Sequence, residues 1–196
     1  SVQSRAALEL AQSQFQFIHS KNTERESVRM VRSYAAYTGQ TGRVTSAMKK
    51  FFDTGSRMVH EKAAPVRCHD KDDQMFLDTA AGGQAKLLLT NDKDLWGLRH
   101  SGSTLILRPN QFNTLFQPNP QSNINIHVTQ NRTLLDEGMV GDTVILNKNQ
   151  ARLLRKMGED VPRVQANMAH AAIEVSGPAR HPAERGNGRG PNLVIS

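Results

Sequence analysis

Two clusters of carboxylates flank one helix and one short apolar run in residues 68–95, and this arrangement restricts the chain to an alternating α/β fold more than any other feature. The first cluster, Asp70, Asp72 and Asp73, opens a helical stretch over about 72–81. There Met75, Phe76, Thr79 and Ala80 fall at core-facing spacing and Gly82-Gly83 supplies the stop. The second cluster, Asp92 and Asp94, follows residues 86–90, whose Leu87-Leu88-Leu89 core suits a strand covered on both faces of a parallel sheet. Open α/β sheets gather ligands beyond the carboxyl ends of their strands, and several aspartates converging there make a site for a hard, oxygen-loving cation such as Mg²⁺ or Mn²⁺. Aspartate is also a favoured helix N-cap and complements the helix dipole in a first turn. Spacing alone leaves both readings open.

The rest of the chain extends the α/β pattern. Ala6, Ala7, Leu10 and Ala11 predict a helix within 1–13, and 15–19 reads as a strand. Ser20 or Asn22 caps a helix that carries Val28, Val31, Tyr34 and Ala35 toward a core and ends near Gly39 and Gly42. A further helix is expected over 45–58 through Ala47, Met48, Phe51 and Phe52. Residues 117–123 read as a linker. Beyond it, 124–175 form a small extension with strands at 124–128 and 143–146 and a basic helix at 148–157. Residues 176–196, rich in Gly, Pro and Arg, read as a disordered tail whose Arg180, Arg185 and Arg189 can touch RNA loosely. No internal repeat is expected.

Composition narrows the partners. The net charge is +7 and the pI about 9.9, which favours a polyanion, with nucleic acid the natural candidate. A basic body carrying a local acidic knot suits phosphate chemistry, because cationic side chains attract the backbone while carboxylates hold the cation. The single cysteine, Cys68, excludes an intramolecular disulfide and suits a reducing compartment. With no membrane-spanning apolar run and no signal peptide evident, a cytoplasmic location is expected. Cys68, His60, His69 and His100 lack paired zinc-ligand spacing, and no P-loop, dinucleotide fingerprint or nucleophile elbow is present.

The run Asp70-Lys71-Asp72-Asp73-x-x-Phe76-Leu77-x-x-Ala80, then Gly82-Gly83, then Leu87-Leu88-Leu89-Thr90-Asn91-Asp92-Lys93-Asp94-Leu95, resembles the C-terminal half of a PIN domain. It is closest to the branch described as toxin components of toxin–antitoxin pairs. Ile106 to Pro109 with Gln111-Phe112 resemble that family's last strand and helix opening. Ser4 to Ala11 resemble its first helix, and Phe15 to Ser20 its second strand, so the likeness covers about 1–116. The resemblance implies a three-layer α/β/α domain with a short parallel sheet, binding Mg²⁺ or Mn²⁺ and cutting RNA, with an antitoxin partner and, by family habit, a homodimer. Family members begin with a strand ending in an Asp-Thr-Asn motif that supplies the first metal ligand. Here Ser1 already opens the first helix. The expectation is therefore a domain lacking its central strand and first ligand, either truncated from a longer product or altered. That leaves neighbouring strand edges unpaired.

By position, the resemblance implies Glu26, Asp73, Asp92 and Asp94 as metal-holding catalytic acids, without deciding between Asp92 and Asp94. Asp70, Asp72, Thr90 and Asn91 are expected to orient them, and Lys71, Lys93 and Arg99 to steer RNA. The implied activity is metal-dependent endoribonuclease. The alternative is an inactive or truncated PIN-fold module that binds RNA or a protein partner.

Overall fold

A computed structural model describes residues 2–39, 41–118 and 123–177. The expected disordered tail, from residue 178 on, and residues 119–122 of the expected linker lie outside the described residues.

Helix α1 (Val2–Gln12) buries Ala7 and Ala11, as its apolar spacing predicts. Strand β1 (Phe17–His19) leads into α2 (Lys21–Thr38). Ser20 caps α2 in a reciprocal box: its hydroxyl accepts from Thr23 N–H, and Thr23 Oγ1 accepts from Ser20 N–H at 2.9 Å. The expected inward stripe of α2 is rotated. Ala35 is fully buried, whereas Tyr34 is 71% exposed.

The helix expected over 45–58 departs more. Helix α3 (Thr41–Lys50) includes Gly42, passes into a π-helical turn (Phe51–Gly55), and gives way to strand β2 (Ser56–Met58). Aromatic packing accounts for this. Phe51 lies 5.6 Å from Phe17 and Phe52 5.0 Å from His19, ring to ring, which draws the chain alongside β1. There β2 pairs in parallel, Phe17 opposite Ser56 and His19 opposite Met58.

Helix α4 (Gln74–Gly82) buries Leu77, Thr79 and Ala80, while Met75 and Phe76 stay half-buried. At its end Gly82 packs so tightly that a Cβ would stand 1.9 Å from the His60 carbonyl oxygen. Gly82→Ala is expected to lose about 1–3 kcal/mol of stability through this overlap, read as a lower urea midpoint. An unchanged midpoint would refute the contact.

Strand β3 (Leu87–Leu89) is followed by a short helix α5 (Lys93–Trp96), β4 (His100–Ser101), β5 (Thr104–Leu107) and α6 (Pro109–Phe116). Strands β3 and β5 are parallel, with β4 antiparallel on the far side of β5. The extension contains β6 (Asn125–Val128), α7 (Arg132–Glu137), β7 (Met139–Val140), β8 (Thr143–Leu146), α8 (Lys148–Asp160), α9 (Pro162–Ala169) and β9 (Ala172–Val175). Its sheet runs β7-β8-β6-β9, with β6 parallel to both neighbours. The fold is PIN-like α/β, but its strands form three sheets rather than one. Among the described residues no strand is hydrogen-bonded to both β1 and β3, so the β1–β2 and β3–β5–β4 sheets stay separate.

Two apolar clusters hold these layers. The larger takes Ala7 and Ala11 from α1, Leu107 from β5, Phe112 from α6, Leu146 from β8, Leu154 from α8 and Val164 from α9. Residues 124–175 therefore share a core with residues 1–116. The smaller cluster joins Cys68, Leu77, Leu95, Trp96 and Ile106. It lies beneath the two acidic turns and fixes α4 and α5 relative to each other. No helix among the described residues is long and apolar enough to cross a membrane.

Candidate metal centre

Each acidic turn is shaped by its own short-range hydrogen bonds. Asp70 Oδ1 accepts from Asp72 N–H at 2.8 Å, which bends the chain into α4. Asp73 takes the N-cap position of α4 in helical geometry, and its carboxylate makes no capping bond. On the second turn Thr90 Oγ1 accepts from Asp92 N–H at 3.0 Å, and Asp92 Oδ1 accepts from Asp94 N–H at 2.8 Å. Asp92 is thus the N-cap of α5, which leaves Asp94 in the first helical turn. Asn91 Nδ2 donates to Ser4 Oγ at 3.2 Å and ties this turn to α1.

The two turns converge. Oxygens of Asp70, Asp73 and Asp94 all lie within 4.8 Å of one another, the one such metal-capable group among the described residues. Two oxygens on opposite sides of an ion bonded at 2.1–2.4 Å are separated by roughly 4.2–4.8 Å. An all-carboxylate donor set of this spacing suits Mg²⁺ or Mn²⁺ rather than a thiophilic metal. Asp73 is the half-buried member, while Asp70 and Asp94 are exposed. Burial pushes the Asp73 carboxyl up to about 6, reinforced by the charges of Asp92, Asp70 and Asp94 and by a hydrogen bond to Asp92. Such mutual repulsion is what a bound cation relieves.

The other acids sit differently. Glu26 Oε2 accepts from Arg29 Nε at 2.8 Å and Oε1 accepts from Nη2 at 2.5 Å. Hydrogen bonding to Arg29 holds Glu26 below the usual carboxylate range; desolvation opposes this and the Arg29 charge adds to it. Glu26 is not among the converging oxygens. Cys68 is a free, buried thiol. Burial pushes its thiol up, and the nearby charges of Asp73 and Asp94 add to this.

Of the three basic residues expected to steer RNA, Lys71 and Lys93 are exposed beside the acids. Arg99 is committed elsewhere: Nη2 donates to Asp136 Oδ1 at 2.5 Å, and the guanidinium stacks 4.8 Å from the Trp96 ring centre. Arg108 covers the same ring at 3.7 Å.

Up to the second acidic turn, the order of elements is helix, strand, two helices and a π-helical turn, strand, acidic turn, helix, strand, acidic turn. Residues 2–94 match the PIN domain family. The match runs from α1 and stops at Asp94, the last carboxylate of the converging group. No curated protein and no solved structure matches the chain. PIN domains are generally metal-dependent nucleases, and the acidic group is where a PIN domain's divalent metal is to be sought in this chain. Asp70 was the member that sequence reading placed in a supporting role. Its signal lay in the Asp70-x-x-Asp73 spacing, which one tight turn closes.

Proposed function

We propose that the chain is a metal-dependent endoribonuclease of PIN type, a toxin component of a toxin–antitoxin pair, acting in the cytoplasm on single-stranded RNA. The convergence of Asp70, Asp73 and Asp94 carries this reading. Asp70, Asp73 and Asp94 hold Mg²⁺ or Mn²⁺, and Asp92 orients Asp94 through its backbone N–H while leaning on Asp73. When bound, the cation supplies Lewis-acid stabilisation of phosphate charge and a more acidic water for in-line displacement. Lys71 and Lys93, exposed and next in sequence to Asp70 and Asp94, attract the RNA backbone. Glu26, paired with Arg29 and outside the converging group, would act only in support of these acids. Glu26→Gln is therefore expected to slow cleavage less than a change at Asp73, as measured by single-turnover rates.

A second reading is a PIN-fold module that binds RNA or a protein without cutting. The engagement of Glu26 with Arg29 favours it, because it leaves three converging carboxylates rather than a larger set. Labelled single-stranded RNA incubated with the full chain and Mn²⁺, Mg²⁺ or EDTA separates the two. Cleavage that EDTA abolishes supports the nuclease. Intact RNA, from protein shown to be folded, supports the binding module.

A further inference from the structure

A unit of the chain recurs 39 residues on. Residues 87–115 laid over 126–154 without a gap bring together identical residues, among them Thr90 and Thr129, Gly102 and Gly141, Ile106 and Ile145, Gln111 and Gln150, and Leu115 and Leu154. No repeat is evident along the sequence, because the identities are short and widely spaced, the longest being the pairs Ile106-Leu107 with Ile145-Leu146 and Asn110-Gln111 with Asn149-Gln150. The structure reproduces the same register. Strand β3 corresponds to β6, α5 to α7, the β4–β5 hairpin to β7–β8, and α6 to α8.

The correspondence reaches single torsions and bonds. Arg99 and Gly138 share a left-handed backbone, φ 68° and 76°, and so do Gly102 and Gly141, φ 58° and 62°. Thr90 Oγ1 accepts from Asp92 N–H at 3.0 Å, and Thr129 Oγ1 from Asn131 N–H at 3.0 Å. Gln111 Oε1 accepts from Arg108 N–H at 3.0 Å, and Gln150 Oε1 from Asn147 N–H at 3.0 Å.

The two units also bind each other reciprocally. Gln111 Nε2 donates to the Ile145 carbonyl at 3.2 Å, and Gln150 Nε2 donates to the Ile106 carbonyl at 3.2 Å. Donor and acceptor in one bond are the counterparts of those in the other. Helix α6 packs on β8 as α8 packs on β5, and α1 backs α6 as α9 backs α8. Contacts in which each residue meets its counterpart's neighbour define a two-fold interface. A chance likeness of two hairpins would produce neither the reciprocity nor the shared torsions.

We infer that residues 126–154 are a second copy of the 87–115 unit and serve as its partner within the same chain, paired about an internal two-fold axis. Asn131 and Thr133 stand where the first copy has Asp92 and Asp94, so the second copy brings packing rather than metal ligands. The face that a lone 87–115 unit would offer to a second chain is covered by its own chain. This inference stands independently of the nuclease reading, since its tests involve neither metal nor RNA.

Zero-length carbodiimide coupling of the dilute full chain provides the first test, because Lys86 Nζ, one residue before the first unit, lies 3.4 Å from Asp160 Oδ2, at the end of the helix α8 that continues the second. Peptides joining Lys86 to Asp160 are expected in the 21.7 kDa band of a denaturing gel. Their recovery only in a band of twice that mass, or in neither band, would overturn pairing within one chain. The second test compares Gln111→Leu with Gln150→Leu by thermal melting. Both are expected to melt lower by about 3–10 °C, since each strands a buried carbonyl of the other unit. A melting point unchanged in either variant would overturn the equivalence.

Discussion

Asp73→Asn is expected to abolish metal-dependent RNA cleavage and, at pH 7–8, to raise the melting temperature of the metal-free protein. The loss of activity should exceed the ~10–100-fold typical of residues that merely orient a ligand, because Asp73 is the half-buried member of the converging group. The gain in stability follows from the sign of its shift. The Asp73 carboxyl titrates at about 6 in the folded protein and at 3.8 when unperturbed. The folded state therefore keeps a proton that the unfolded chain has released, and stability present below pH 3.8 is lost as pH rises to about 6. Asparagine removes that penalty. Because the Asp73 side chain makes no capping bond to α4, the substitution sacrifices no cap. The same titration governs cation binding, which requires the ionised carboxylate. Mn²⁺ affinity should fall by roughly tenfold per unit below about pH 6. Cleavage of labelled RNA, calorimetric titration of Mn²⁺ across pH 5–8 and melting curves of both proteins in EDTA check the three in turn. A variant that still cleaves at full rate, or that melts lower at pH 8, would refute the assignment.

Phe112→Ala should have the largest effect on stability, about 3–5 kcal/mol out of a total on the order of 5–15 kcal/mol. Phe112 is fully buried, stacks on Phe116 with ring centres 4.4 Å apart, and meets Phe15 at 6.2 Å. Its cluster also contains Leu146, Leu154 and Val164, so the cavity would open where both halves of the chain meet. A fall in melting temperature of roughly 6–20 °C is expected. The single tryptophan, Trp96, reports from the smaller cluster, and its fluorescence should shift together with the circular dichroism signal. Two separated transitions would show that residues 124–175 fold independently of the rest.

How far the sequence alone could reach is visible in particular elements. Helix α1, the Ser20 cap, the Gly82-Gly83 stop and the Leu87–Leu89 strand were legible because each depends on contacts within a few residues. Strand β2 was not, since Ser56–Met58 is a strand only while Phe51 and Phe52 pack on Phe17 and His19. Tyr34 read as core for a similar reason: helical spacing fixes a stripe, but the packing partner decides which residue of it turns inward. Arg99 had a residue type suited to the expected role, yet its ion-pair partner, Asp136, became apparent only in three dimensions, whereas the Glu26–Arg29 pair lies within one turn of α2 and is legible from helical spacing.

The sequence by itself determined the α/β class, the two acidic turns and the likeness to PIN domains over residues 2–94, because periodicity, capping and short motifs are local properties of the chain. The tertiary structure decided which carboxylates meet, that residues 124–175 share the first segment's core, and that residues 87–115 and 126–154 pack on each other reciprocally. Those outcomes rest on contacts between residues far apart in sequence, such as Asp70 with Asp94 and Gln111 with Ile145. Only the burial that folds one segment against another brings such residues within reach.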